Sequence, residues 1–359
     1  MAATLADAAP AKCRYVNLAD IPVKLADLYP VVDANVHGQP SALLLGTGSE
    51  VTVLTITRDA ADQLHGRKAI SEANDKERKA TALMRIINDL SIGPVHATSF
   101  QAMLHIADAP DPSLKFDAEL GANTLFSHDV ELSLAQGELK LFDPAACGQA
   151  FLAYWDENAQ VVEMAKMSSH DWRPVIKVEV NGKVLRAVID SGTRASTITL
   201  EAAARLGVTP ASPGVVQVVS DGKPENDAWV APFDSFKIGE EAVGHPKIRI
   251  ADYWRHLSPA SGSNLEEENM RGLETDMVLG ADFLRAHRVL FAVSQQRLYF
   301  SYAGGKVFAD VEEQKQIERA TPVVYTVFSC GMGLNLEKGF GCAGLTQMPP
   351  VALEKIKLQ

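Results

Sequence analysis

Val188-Ile189-Asp190-Ser191-Gly192-Thr193 is the end of an apolar strand running straight into an acid, a hydroxyl residue and a glycine, with Ala195-Ser196-Thr197-Ile198-Thr199 behind it. The glycine permits a turn that a side chain would resist, so the acid is held at a strand end where a scaffold can aim it. Upstream, Val175-Ile176-Lys177-Val178-Glu179-Val180 and Lys183-Val184 are strand-like runs joined by Asn181-Gly182, a strong hairpin signal. Downstream, Leu200 to Leu206 reads as a short helix stopped by Gly207. Asp-Ser-Gly alone is a weak signal, because all three are ordinary turn residues. The order of elements around it carries the reading.

That order resembles the core of the retropepsin-like aspartic proteases: hairpin, Asp-Ser/Thr-Gly, short strand, helix ending in Leu-Gly. The family's second mark is an apolar pair and a glycine in a strand that threads beneath the catalytic loop. Here it falls on Val278-Leu279-Gly280, continuing Ala281-Asp282-Phe283-Leu284, and Gln296-Arg297-Leu298-Tyr299-Phe300 looks like the closing strand of bacterial members. The resemblance implies a mainly-β fold with Asp190 as catalytic acid and Ser191, Gly192 and Thr193 as its loop. In that loop Ser191 would brace the turn and Gly192 would let a substrate backbone approach. Thr193 stands where Ala is common in viral members. Asp282 is expected to be structural.

The same pattern occurs earlier in the chain. Residues Pro30 to Thr55 align without a gap on Pro174 to Thr199: Pro30, Val31, Val36, Gly38, Gly48 and Thr55 meet identical residues, and Thr47 meets Ser191. A second block, Gly121-Ala122-Asn123-Thr124-Leu125 onward, aligns on Gly280-Ala281-Asp282-Phe283-Leu284, with His128 on His287 and Val130 on Val289. Two ungapped blocks in the same order read as a tandem duplication. The expectation is two retropepsin-like β-barrel lobes related by a pseudo-two-fold, with short helices. The boundaries read as an N-terminal arm (1–24), a first lobe (25–145), a linker (146–172), a second lobe (173–303) and a C-terminal extension (304–359).

The position matching Asp190 is Gly46, followed by Thr47 and Gly48. Peptide hydrolysis by this class needs two carboxyls sharing one proton, one as base on water and one as donor to the carbonyl. One acid cannot be both at once. Three readings stay open. Two copies of the second lobe meet in a homodimer and restore a pair of Asp190 residues. Alternatively a single chain supplies the second carboxyl elsewhere, with Glu50 the near candidate. In the third, the chain keeps the groove and binds extended peptide without cleaving it. Any proteolysis is expected to depend on Asp190 and to be greatest at acidic pH. The flap over the substrate is placed on Val215 to Pro232, with Ser220-Asp221-Gly222 at its tip.

Elsewhere the sequence excludes more than it assigns. The length of 359 residues suits two domains, and 47% hydrophobic residues suffices for buried cores. A net charge of −11 argues against a nucleic-acid partner. No apolar run of about 18 residues is present to span a membrane. No metal or cofactor motif is found; the Gly-rich stretch between Cys330 and Cys342 lacks the lysine and strand-to-helix context of a phosphate loop. The partners implied are a protein or peptide substrate and, in the first reading, a second copy. Arg67 to Leu90 reads as a charged loop and a helix, because Ala82, Leu83, Ile86, Ile87 and Leu90 recur at helical spacing. Asp156 to Asp171 reads as linker plus a short helix, Ser258 to Glu274 as a solvated loop, and Ala309 to Arg319 as helical.

Cys13, Cys147, Cys330 and Cys342 match no zinc or redox spacing. Their bracketing positions suit two disulfides, Cys13–Cys147 and Cys330–Cys342, and an oxidising compartment; four reduced, buried thiols is the competing reading. Residues 1–12 lack a signal peptide's basic start and apolar centre. Relatives with an N-terminal Cys usually carry an export signal, so the resemblance implies a periplasmic or secreted protein.

Overall fold

The structure, a computed structural model, describes residues 12–26, 28–57, 68–69, 81–107, 116–167, 171–220, 223–251, 275–309 and 354–355. It is mainly β, built from three sheets. Two of them, one in each half of the chain, hold the loops of Gly46 and Asp190. The third joins the halves.

In the second half, Val175–Val180 and Lys183–Ile189 form the expected hairpin, with Asn181 at φ 50° and Gly182 at φ 72°. Positive φ at both turn residues gives the turn that matches strand twist. His37 and Gly38, at φ 52° and 78°, make the same turn between Tyr29–Val36 and Gln39–Gly46. Lys183–Ile189 then pairs in parallel with Met277–Leu279, as Gln39–Gly46 does with Ala118–Gly121. The expected helix runs Leu200–Arg205; the Thr199 side chain caps it, and Gly207 at φ 81° follows its end.

The braces under the two loops match bond for bond. Asn123 Oδ1 accepts from Thr52 N at 2.9 Å and Thr52 Oγ1 at 3.1 Å, and Thr52 Oγ1 accepts from Gly121 N at 3.0 Å. Across the chain, Asp282 Oδ1 accepts from Ser196 N at 2.9 Å and Ser196 Oγ at 2.6 Å, and Ser196 Oγ accepts from Gly280 N at 3.0 Å. Asp282 is structural, as expected. Gly121 and Gly280 have no room for a Cβ: one would run into the Val51 backbone, the other would lie 2.7 Å from Thr193 O.

The joining sheet has six strands in the order Arg14–Pro22, Glu138–Ala145, Asp129–Ser133, His287–Ala292, Arg297–Tyr302, Gln160–Glu163. At its centre Val130 pairs with Phe291, Glu131 with Leu290 and Leu132 with Val289. Since Val130 corresponds to Val289, this is the self-complementary pairing of a two-fold interface. Phe126 and Phe291 pack across it with ring centroids 5.2 Å apart. Cys13 and Cys147 form a disulfide with a Cα separation of 4.4 Å, fixing the first strand's start beside the end of the second. Cys330 and Cys342 lie outside the described residues.

Two expectations are corrected. Thr81–Ile92 is a strand, not a helix, paired along its length with Val95–Ala107. Asp89, at φ 65°, kinks it. Buried positions fall at Ile87 before the kink and at Leu90 and Ile92 after it, so a spacing of three imitates a helical face. The segment bridging the halves contains Gln160–Glu163, an edge strand on Arg297–Tyr302, and no helix among its described residues. The expected loop at Ser258 to Glu274 and helix at Ala309 to Arg319 lie outside the described residues, except for Ala309 itself.

Candidate active site

Asp190 sits at the end of its strand, almost fully buried, with its N–H bonded to Leu279 O at 2.9 Å. Its carboxylate is surrounded by donors. Oδ1 accepts from Gly192 N at 2.9 Å and from Gly48 N of the first half at 3.1 Å, and Oδ2 accepts from Thr193 Oγ1 at 2.6 Å. Gly48 has to be glycine, because a Cβ there would strike Asp190 Cβ and Cγ. The Asp190 loop has one feature the sequence did not indicate: a donor from the other half reaches the acid.

The two loops are locked together by a reciprocal grip. Thr47 Oγ1 donates to Ile189 O at 2.9 Å and accepts from Ser191 N at 2.9 Å. Ser191 Oγ donates to Leu45 O at 2.5 Å and accepts from Thr47 N at 3.2 Å. Both side chains are buried, so each bond forms where water cannot compete for it. Beside the loops, the guanidinium of buried Arg194 lies over the ring of Tyr29 in the first half, 4.8 Å from its centroid.

No side chain extends from Gly46, yet its place is filled. A Cβ built there would fall on Glu119 Oε1, with Glu119 Cγ and Cδ both 2.8 Å away. Glu119 lies in the threading strand Ala118–Gly121 and pairs with Leu44. Leu44 and Gly46 share a strand face, so a side chain as long as glutamate's reaches one pleat along to the loop. Its counterpart in the second half is Val278, which completes a small apolar cluster with Val175 and Val188. A carboxyl therefore stands where the other half keeps an aliphatic side chain. The position of a Cβ built on Gly192 is 3.2 Å from Asp190 Oδ1 and 3.3 Å from Glu119 Oε1, so both acids line one spot.

Glu119 is buried, and its proton affinity follows. Burial, then the charge of Asp190, push its carboxyl up to about 8, while a hydrogen bond from Ser49 Oγ to Oε1 pulls it partly back. Oε2 is buried with no hydrogen-bond partner among the described residues.

Sequence reasoning placed the loop but not this acid. The residue found against Gly46 is Glu119; Glu50 was the near candidate in one of the three readings open from the sequence. A signal was available: extending the second aligned block two residues upstream sets Glu119 against Val278, a charge opposite an aliphatic residue in a strand that threads the interior. At the segment expected to form the flap, Val216–Ser220 and Lys223–Pro232 pair as a hairpin, with Ser220 opposite Lys223; Asp221 and Gly222 lie outside the described residues. Among the described residues no cluster of His, Cys, Asp and Glu suits a metal ion, and no helix is long and apolar enough to cross a membrane.

Fold and loop define an aspartic-protease scaffold, and the sequence comparison agrees. The family model described as aspartyl protease matches residues 176–283, in the second half of the chain. That span contains Asp190 but neither Gly46 nor Glu119. Among solved structures, the aspartic proteinase from Irpex lacteus aligns over 79% of this chain and 97% of its own at 13% identity, with a TM-score of 0.47. Basic 7S globulin from soybean aligns over 81% of this chain and 95% of its own at 11% identity, also with a TM-score of 0.47. No curated protein matches the chain.

Proposed function

We propose that this protein is an aspartic endopeptidase whose site is complete within one chain, with Asp190 as the base that activates water. The observation that carries the reading is the grip between Thr47 and Ser191, which sets the loop of the first half directly against the Asp190 loop. A second copy is then unnecessary, because the place it would take across from Asp190 is occupied. The matched braces at Asn123 and Asp282 support descent of both halves from one duplicated lobe. The substrate is an extended peptide laid over Gly48 and Gly192, two positions without side chains, with its scissile carbonyl between the loops. The Cys13–Cys147 disulfide suits an oxidising compartment and an exported protein.

The test is cleavage of a mixed peptide library by the purified full chain and by Asp190→Asn, across a protein dilution series. A wild-type rate per molecule independent of dilution, and lost in the variant, is expected. Cleavage that survives Asp190→Asn refutes the reading. Tight binding of a non-cleavable hydroxyl-containing peptide isostere without any hydrolysis would instead establish a peptide-binding module.

A further inference from the structure

We infer that Glu119 is the second catalytic carboxyl of this site, delivered from the threading strand to the point left empty at Gly46. The inference rests on the peptidase reading and adds to it the identity of the proton donor.

Three independent features converge on Glu119. The first is position: its Oε1 occupies the space a side chain on residue 46 would fill, and both it and Asp190 Oδ1 border Gly192. The second is its hydrogen-bond partner. Thr193 donates to Asp190, and Ser49, the residue corresponding to Thr193, donates to Glu119. The hydroxyl that would serve an acid on the first loop thus serves this one. The third is chemical cost. A buried carboxyl with an unpartnered oxygen is unfavourable in a place where valine packs in the other half. Packing alone gives no reason for the acid, whereas a reaction that consumes and regenerates a proton does.

The surroundings also divide the labour. Asp190 accepts hydrogen bonds from three donors and so is placed to take a proton from water, while burial and the neighbouring Asp190 push the Glu119 carboxyl up to about 8. Hydrolysis then balances. Water adds to the scissile carbonyl carbon as Asp190 takes one of its protons and Glu119 gives its own to the carbonyl oxygen, leaving a neutral gem-diol. The C–N bond breaks as Asp190 returns its proton to the departing nitrogen. A diol hydroxyl passes its proton to Glu119 as the new carboxylic acid forms. Both acids finish as they began.

The experiment compares full-length wild type with Glu119→Gln, Glu119→Val and the double variant Gly46→Asp/Glu119→Val, which gives the first half the second half's residues at both positions. Either single change at 119 is expected to lower kcat by about 10²–10⁴-fold with KM little altered. The double variant should regain at least about tenfold of the loss relative to Glu119→Val, because a loop carboxyl again occupies the same point. A readout independent of turnover is the infrared difference spectrum between wild type and Glu119→Gln at neutral pH, which should show the carbonyl stretch of one protonated carboxylic acid lost. Glu119→Gln cleaving at the wild-type rate while Asp190→Asn is inactive overturns the inference and leaves the peptidase reading standing. A difference spectrum lacking the protonated-acid band overturns it even if no substrate is found. Failure of wild type to cleave anything, with that band present, overturns the peptidase reading and with it the catalytic role of Glu119, leaving only its buried protonated state.

Discussion

Glu119→Gln also makes a thermodynamic prediction that needs no substrate. The carboxyl has an ordinary value of 4.5 and stands at about 8 in the fold. Between those values the folded chain binds this proton and the unfolded chain does not, so stability must fall as pH rises. The group's contribution is fully present below about pH 4.5 and is lost as pH climbs through about 8. At about 1.4 kcal/mol per pH unit, the span from 4.5 to about 8 corresponds to on the order of 5 kcal/mol. Glutamine keeps the volume and the bond from Ser49 but has no proton to lose. Guanidinium unfolding of both proteins from about pH 5 to about pH 8.5 should therefore show the variant gaining several kcal/mol on wild type toward the alkaline end. Asp129 and Asp282, also raised by burial, titrate alike in both proteins and cancel in the difference. Parallel pH profiles for the two proteins would refute a neutral, buried Glu119.

Three further outcomes are expected. Thr47→Val removes a hydroxyl that pairs Ile189 O and Ser191 N, so each orphaned backbone group should cost about 1–3 kcal/mol in urea unfolding, with a fall in turnover as the loops separate. Cys13→Ser/Cys147→Ser opens a crosslink between residues 134 apart and should lower stability by about 2–5 kcal/mol, a loss that reducing agent reproduces in the wild type. Asp282→Asn should be far milder than Asp282→Ala in thermal melts, because Asn123 already performs the same bracing in the first half; the residual loss comes from the Ala309 N–H that Asp282 Oδ2 accepts.

What could be read from sequence was whatever depends on short-range geometry. Asn181-Gly182 dictates its turn by left-handed backbone preference, and Thr199 and Gly207 bound their helix by capping. Asp190-Ser191-Gly192 is a local motif, and its bracing residue Asp282 lies beside a recognisable glycine. Features created by register were hidden. Thr81–Ile92 became a strand because Val95–Ala107 pairs with it, and the kink at Asp89 disguised its alternation. Gln160–Glu163 is strand only because Arg297–Tyr302 offers it an edge. Glu119 was hidden for the same reason: a lone acid in Ala118-Glu119-Leu120-Gly121 points to the loop only once pairing with Leu44 fixes the pleat it faces.

The asymmetry of this site bears on when its roles are decided. In a symmetric pair each carboxyl has the same donors and the same burial, and the proton is shared between equals. Here the surroundings differ before any substrate arrives. Gly48 N of the first half is a third donor to Asp190, beside Gly192 N and Thr193 Oγ1. Glu119, entering from beneath, accepts the bond from Ser49, while Oε2 has no hydrogen-bond partner among the described residues. The proton affinity of Glu119 is raised by its burial first and then by the neighbouring Asp190. From the sequence, any proteolysis is expected to depend on Asp190 and to be greatest at acidic pH. On the peptidase reading proposed above, a Glu119 carboxyl pushed up to about 8 keeps a proton to donate through neutrality. On that reading, moving one acid from the loop to the strand below it keeps the two carboxyls together, and a pH–rate profile of wild type should hold its activity up to neutral pH.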